Sequence, residues 1–212
     1  MTAKDNLRTI HIVDGAMLTN NYGPARITRR DLGLLRLPTG EIVIGDPTNR
    51  YRMEDFKRKA LSMTVAPGIY PMELYIAESE HGRVVAFAEL RFNDNEPVKF
   101  VEAKTVFDAD NNRKGFCGYV VNESQTGFMD AEVFRTINSM PKHIRADSVI
   151  DFDGLEDDET FEDNLQCVVG SSEDGKLTAT LIHVNSGVYY WYWGKDRNGE
   201  TCCLTADFFS FV

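Results

Sequence analysis

The stretch between residues 69 and 92 constrains the fold more than any other part of the chain. Met72, Leu74 and Ile76 alternate with Glu73, Tyr75 and Ala77. A period of two puts each set on one face of a strand. After a turn at 79–82, Val84, Ala86, Ala88, Leu90 and Phe92 continue an apolar face. Residues 98–106 follow the polar turn at 93–96 as a third strand, giving an antiparallel meander with one face on a core. A second hairpin stands at the C-terminal end, where 189–194 and 200–209 flank Asp196-Arg197-Asn198-Gly199. Asn-Gly is the strongest two-residue hairpin signal, and a type I′ turn needs positive φ at both positions. That register sets Arg197 against Glu200 and Tyr190 against Asp207. It also sets Trp193, Trp191 and Tyr189 against Leu204, Ala206 and Phe208, a large aromatic core face.

The rest of the chain reads as short strands separated by turn chemistry, with a few helical stretches. Residues 41–45 form an apolar run between Pro38-Thr39-Gly40 and Asp46-Pro47, and 51–61 reads as a short helix. Residues 108–114 form a polar loop and 116–121 a strand. Val133, Phe134, Ile137 and Met140 recur at helical spacing within 129–140, and Pro141 stops them. A further helical turn is expected at 159–167, and 176–184 alternates Leu177, Ala179, Leu181 and His183 against threonines and Ile182. The fold class is α+β: predominantly antiparallel β, a meander and a C-terminal hairpin, with two or three short helices. Residues 1–212 form one domain, without repeat, low-complexity tract or linker. Apolar residues make up 42%, including 13 Phe, 8 Tyr and 2 Trp, enough for a core and too many for a disordered chain. The longest apolar patch, 188–193, is far too short to cross a bilayer, and the first residues lack the apolar stretch of a signal peptide. Four cysteines, two of them adjacent, form neither a disulfide framework nor a zinc spacing, so a reduced, cytoplasmic protein is expected.

Charge is unevenly placed. The net charge is −10, and residues 146–175 hold eleven carboxylates with no Lys or Arg. Outside that segment, 22 acidic residues meet 23 basic ones, so the chain is a nearly neutral body carrying one acidic stretch. Such a surface disfavours nucleic acid and anionic membranes and steers in a basic partner. It also does the work of a solvated, solubilising loop.

The order of several landmarks resembles the bacterial domain-of-unknown-function family 4241. They begin with Leu32-Gly33-Leu34-Leu35-Arg36-Leu37-Pro38-Thr39-Gly40 running into Ile42-Val43-Ile44-Gly45-Asp46-Pro47. Val65-Ala66-Pro67-Gly68-Ile69-Tyr70-Pro71-Met72-Glu73-Leu74 follows, then Arg83-Val84-Val85-Ala86-Phe87-Ala88 and Leu90-Arg91-Phe92. Gly127-Phe128-Met129-Asp130, Ser186-Gly187, Tyr189, Gly194-Lys195-Asp196 and Asp207-Phe208 complete the set. Two departures stand out: Val121-Asn122-Glu123-Ser124-Gln125-Thr126 replaces an Asp- and Gly-rich approach to Phe-Met-Asp, and no Gly-Asp-Gly turn precedes Tyr189. The resemblance implies a fold and a bacterial or phage origin, and supplies no activity.

Candidate site residues are mostly carboxylates. Asp46 ends an apolar strand, where it is either a carboxylate at a cleft mouth or a turn residue bonding nearby amides. Glu73, Arg83, Glu89 and Arg91 fall on one non-core face and predict an ion-pair ladder. Tyr190 and Asp207 predict a structural pair. His11, His81, His143 and His183 show no metal spacing, Cys117 and Cys167 have no nucleophile context, and one of Cys202 and Cys203 points inward, the other outward. The run from Asp151 departs from a calcium loop, because its glycine falls at the fourth position. No catalytic residue, metal or cofactor is assigned.

Two functions are expected from this. The first is a cytosolic binding protein, most concretely an immunity or antitoxin-like protein that neutralises a basic toxin domain by direct contact. Asp151, Asp153, Glu156, Asp157, Asp158, Glu159, Glu162 and Asp163 would form its partner face. The alternative is a small enzyme or ligand-binding domain in which Asp46, Glu73, Arg83, Asp130 and Asp207 converge on a pocket.

Overall fold

Alternation becomes a pair of antiparallel sheets. The computed structural model describes residues 15–20, 23–111, 118–121, 124–141, 143–144, 148–152 and 167–209. The larger sheet contains β1 (Met17–Asn20), β2 (Gly23–Leu37), β4 (Gly68–Ser79), β5 (Gly82–Arg91), β6 (Lys99–Glu102), β7 (Tyr119–Val121), β12 (Gly187–Lys195) and β13 (Thr201–Asp207). Its order is β1-β2-β4-β5-β13-β12-β6, with β7 also paired to β12. The smaller sheet runs β10 (Cys167–Ser171), β11 (Thr178–His183), β9 (Phe128–Asp130) and β3 (Ile42–Ile44), with β8 (Gln125–Thr126) on β11. Among the described residues lie three short α-helices, α1 (Phe56–Lys59), α2 (Val106–Asp110) and α3 (Ala131–Ser139), with a 3-10 turn at Met53–Asp55 before α1. The fold is α+β and mostly antiparallel β.

One core joins the sheets. Leu35, Leu37, Met72, Leu74, Ile76, Leu90, Trp191, Trp193 and Leu204 from the larger sheet pack with Ile42, Ile44, Phe128 and Ile182 from the smaller. Each buried side chain of this size contributes about 1.5–3 kcal/mol. The outer face of the smaller sheet is covered by α3, through Val133, Phe134 and Ile137 against Val43, Met129 and Ala179. The outer face of the larger sheet carries a second apolar cluster, including Tyr75, Phe87, Tyr192 and Phe209.

Bulges correct the simple alternation. In β5 the register slips opposite Tyr75 and Ile76, so Ala86 and Phe87 both face outward while Val85 and Ala88 face the core. Val84 is therefore exposed and Arg83 falls on the opposite face from Glu89. β2 was not legible as one strand, because a bulge between Asp31 and Gly33 moves its apolar phase from Ala25 and Ile27 outside to Leu35 and Leu37 inside. The third strand of the expected meander is also displaced. β6 pairs with β12 at the far side of the sheet, because β13 occupies the edge of β5. Residues 106–110, expected as strand end and loop, form α2, capped by the Thr105 hydroxyl accepting from Asp108 N–H.

The C-terminal register is as expected: Trp193 opposes Leu204, Trp191 opposes Ala206 and Tyr190 opposes Asp207. The turn chemistry differs. Gly199 N–H donates to Asp196 C=O, and the Asp196 carboxylate accepts from Asn198 and Glu200 N–H. Only Gly199, at φ 83°, is left-handed, so Arg197 and Asn198 are the central residues and Gly199 forms a bulge. The expected helical turn at 159–167 lies outside the described residues, apart from Cys167 at the start of β10.

Candidate functional site

The short helix α1 ends beside β3, and its last residue, Lys59, reaches over two aromatic rings. Lys59 Nζ lies 3.9 Å from the Tyr51 ring centre and 4.8 Å from that of Tyr119, and donates to Tyr119 Oη at 2.5 Å. Tyr51 is held in turn by stacking on Phe134 and by Asp46 N–H, which donates to its hydroxyl at 2.9 Å. Tyr51, Lys59 and Tyr119 line a cavity of about 580 Å³, together with Arg58, Phe107 and Trp191. That volume lies within the usual range for small-ligand sites.

Burial sets the electrostatics. It pushes the Lys59 ammonium down to about 8, partly opposed by Asp55 and Asp46. Burial, with Tyr51 and Asp46, raises the Tyr119 phenol well above its ordinary range. The cavity thus holds a partly desolvated amine between two phenols. Trp191 forms part of the wall, and its buried Nε1 has no hydrogen-bond acceptor among the described residues.

Of the expected pocket residues, only Asp46 belongs near this cavity. Its carboxylate accepts from Thr48 N–H, the Thr48 hydroxyl and Asn49 Nδ2 at 2.7–2.8 Å, which is the turn role. It also adds negative charge beside Lys59. Glu73 lies on the outer face of the larger sheet, paired to Arg29 and accepting from Tyr75 Oη. Arg83 sits near the β4–β5 turn and pairs with Glu78 at 3.2 Å. Asp130 caps α3 and ties it to the Thr39 turn, accepting from Glu132 N–H, Thr39 N–H and the Thr39 hydroxyl. Asp207 is buried on the outer face of β13 and accepts from Phe209 N–H. The five do not converge, since Asp46 and Asp130 belong to the smaller sheet and Glu73 and Asp207 to the far side of the larger one.

The ion-pair ladder exists in altered form. Glu73 and Glu89 oppose each other across β4 and β5, and each has its own arginine, Arg29 and Arg91. Glu89 also accepts from the Thr205 hydroxyl at 2.8 Å. Cys202 and Cys203 are both buried in the outer cluster, because the bulge at Gly194 and Lys195 disturbs the alternation across the hairpin. Burial pushes the Cys167 thiol up to about 11. Of the expected partner face, Asp151 is exposed and its backbone pairs with Ser171 at the edge of β10. Asp153, Glu156, Asp157, Asp158, Glu159, Glu162 and Asp163 lie outside the described residues. Among the described residues, no cluster of His, Cys, Asp and Glu is arranged to hold a metal ion, and no helix is long and apolar enough to cross a membrane.

A family model described as "Protein of unknown function (DUF4241)" matches residues 35–206. The chain belongs to the DUF4241 family. The matched region of this DUF4241 chain runs from the end of β2 to the end of β13 and includes Asp46, Tyr51, Lys59, Tyr119 and Trp191. No curated protein and no solved structure matches the chain.

Lys59, Tyr51, Tyr119 and Trp191 carry no site motif in the sequence. The one signal in the sequence is a lysine in a short basic helix near a tyrosine, and such a lysine is usually solvated.

Proposed function

We propose that this protein is a ligand-binding domain whose working centre is the cavity beside α1. The observation that carries this reading is Lys59, a half-buried ammonium held between the Tyr51 and Tyr119 rings in a cavity large enough for a small molecule. Keeping a desolvated charge there costs stability, and a ligand that uses it supplies a physical reason for the arrangement. Val120 lines the rim and is 56% exposed, so Val120→Trp fills the opening without disturbing the core. Thermal unfolding against a panel of small acids, alcohols and amines tests the reading. At least one compound should raise the midpoint of the wild type and not of Val120→Trp. A panel with equal effects on both proteins would refute it.

A second reading, an immunity or antitoxin-like protein acting on a basic partner, is supported by the eleven carboxylates within 146–175. Of these, Asp151 is exposed beside an edge strand. A clustered field of one sign raises association rates and makes them steeply salt-dependent. A cytoplasmic location and bacterial origin belong to the same proposal. Partner capture from the host, followed by association rates for wild type and an Asp157→Lys, Asp158→Lys, Glu159→Lys triple variant, tests it. Equal rates and salt slopes would reduce the segment to a solvated stretch.

A further inference from the structure

The cavity beside α1 is lined by two cations, two carboxylates and several aromatic rings. Two cations line it, Arg58 and Lys59, and neither forms an ion pair among the described residues. Arg58 places its guanidinium 4.6 Å from the Phe107 ring centre, and Lys59 spends one donor on the Tyr119 hydroxyl. The two carboxylates of the lining are already engaged. Asp55 pairs with Arg52 at 3.3 Å, and Asp108 accepts from the Thr105 hydroxyl at 2.8 Å. The Trp191 indole, 3% exposed, adds a buried N–H with no acceptor among the described residues. The surrounding surface is aromatic: Tyr51, Phe107, Tyr119 and Trp191.

We infer that this cavity binds a small aromatic carboxylate, its ring among the aromatic side chains and its carboxylate on Lys59 and Arg58. The inference deepens the ligand-binding reading and rests on it. Neither cation has a carboxylate at ion-pair distance among the described residues, and a carboxylate's fork suits the Arg58 guanidinium. A flat apolar body suits aromatic walls at little entropic cost. A cationic ligand is repelled by both side-chain cations, and the Asp55 carboxylate is already paired with Arg52.

Three probes of one shape decide it: 2-naphthoate, 2-naphthalenemethanol and 2-naphthylmethylamine, each titrated calorimetrically into the full chain. Naphthoate should bind at least about tenfold more tightly than the alcohol, the factor expected for one charge-assisted hydrogen bond. The amine should bind more weakly than either. Lys59→Met should remove most of the preference for naphthoate over the alcohol, while Lys59→Arg should keep it. Val120→Trp should weaken all probes together. Equal binding of naphthoate and alcohol would overturn the carboxylate assignment and leave the ligand-binding reading standing. Absence of binding by every probe at millimolar concentration would overturn both. Tightest binding by the amine, or naphthoate binding unchanged in Val120→Trp, would overturn the assignment of this ligand to this cavity.

Discussion

Replacing Lys59 by methionine should make the protein more stable at neutral pH. Methionine keeps the unbranched stem and removes the charge. Burial lowers the Lys59 ammonium from 10.5 to about 8. A depression of that size corresponds to about 3 kcal/mol of preference for the neutral form. The Tyr51 and Tyr119 rings favour the ammonium by about 0.5–1 kcal/mol each, so the net cost of the charge is about 1–2 kcal/mol. The lost donor to Tyr119 counts for little, since Tyr119 lines the cavity and water can replace it. The pH dependence follows from linkage. Below about pH 8 both folded and unfolded chains hold the proton, and the penalty is fully present. Between about 8 and 10.5 the unfolded chain still holds a proton that the folded chain has shed, so wild-type stability should climb. Above that window neither holds it and the penalty is gone. Urea unfolding of both proteins across this range reads the effect directly. Lys59→Met should lead by about 1–2 kcal/mol near pH 7 and lose its lead as pH rises. A variant less stable at neutral pH, with the same pH slope as wild type, would refute the desolvation argument.

Other substitutions test the structural roles. Gly199→Val should cost about 1–2 kcal/mol, because only glycine takes that left-handed position freely, while Asn198→Val should stay within about 0.5 kcal/mol of that loss's absence. Equal midpoints for the two in urea would restore the Asn198-Gly199 turn. Asp130→Ala removes the cap of α3 and strands the Thr39 N–H, so a loss of about 2–4 kcal/mol is expected in denaturant unfolding, with Asp130→Asn intermediate. Glu89→Ala leaves Arg91, which is half-buried, without its carboxylate, and should cost about 3–5 kcal/mol by the same measurement. A near-neutral result would mean that Arg91 finds water at once.

The fold was largely legible where side-chain period and packing agreed. Met72, Leu74 and Ile76 face the shared core as their alternation requires, and Trp191 and Trp193 take the partners that the hairpin register assigns. Legibility failed at bulges. A single extra residue reverses every later side chain, and neither Ala86 in β5 nor the Asp31–Gly33 step in β2 announces itself by composition. Strand order failed for another reason. β6 follows β5 in the chain, but the aromatic β12–β13 hairpin takes the central position in the sheet, where two faces of large side chains can be buried. Sequence adjacency carries no information about that competition.

The site was hidden for a reason that also explains the carboxylates chosen instead. Asp46, Glu73 and Asp130 are buried and charged, and burying a charge demands a partner. Here the partners are structural: caps, arginines and hydroxyls within the same sheet or turn. A satisfied carboxylate has little left for a ligand. Lys59 looks ordinary in sequence, at the end of Phe56-Lys57-Arg58-Lys59, and gains its character only when β7 brings Tyr119 beside it and the 46–51 turn brings Tyr51. Its neighbour Lys57 shows the contrast, exposed and paired to Asp110 at 2.8 Å on the surface. The two lysines differ in what the fold puts around them, a surface carboxylate for Lys57 and two phenol rings for Lys59, and residue type alone does not carry that difference.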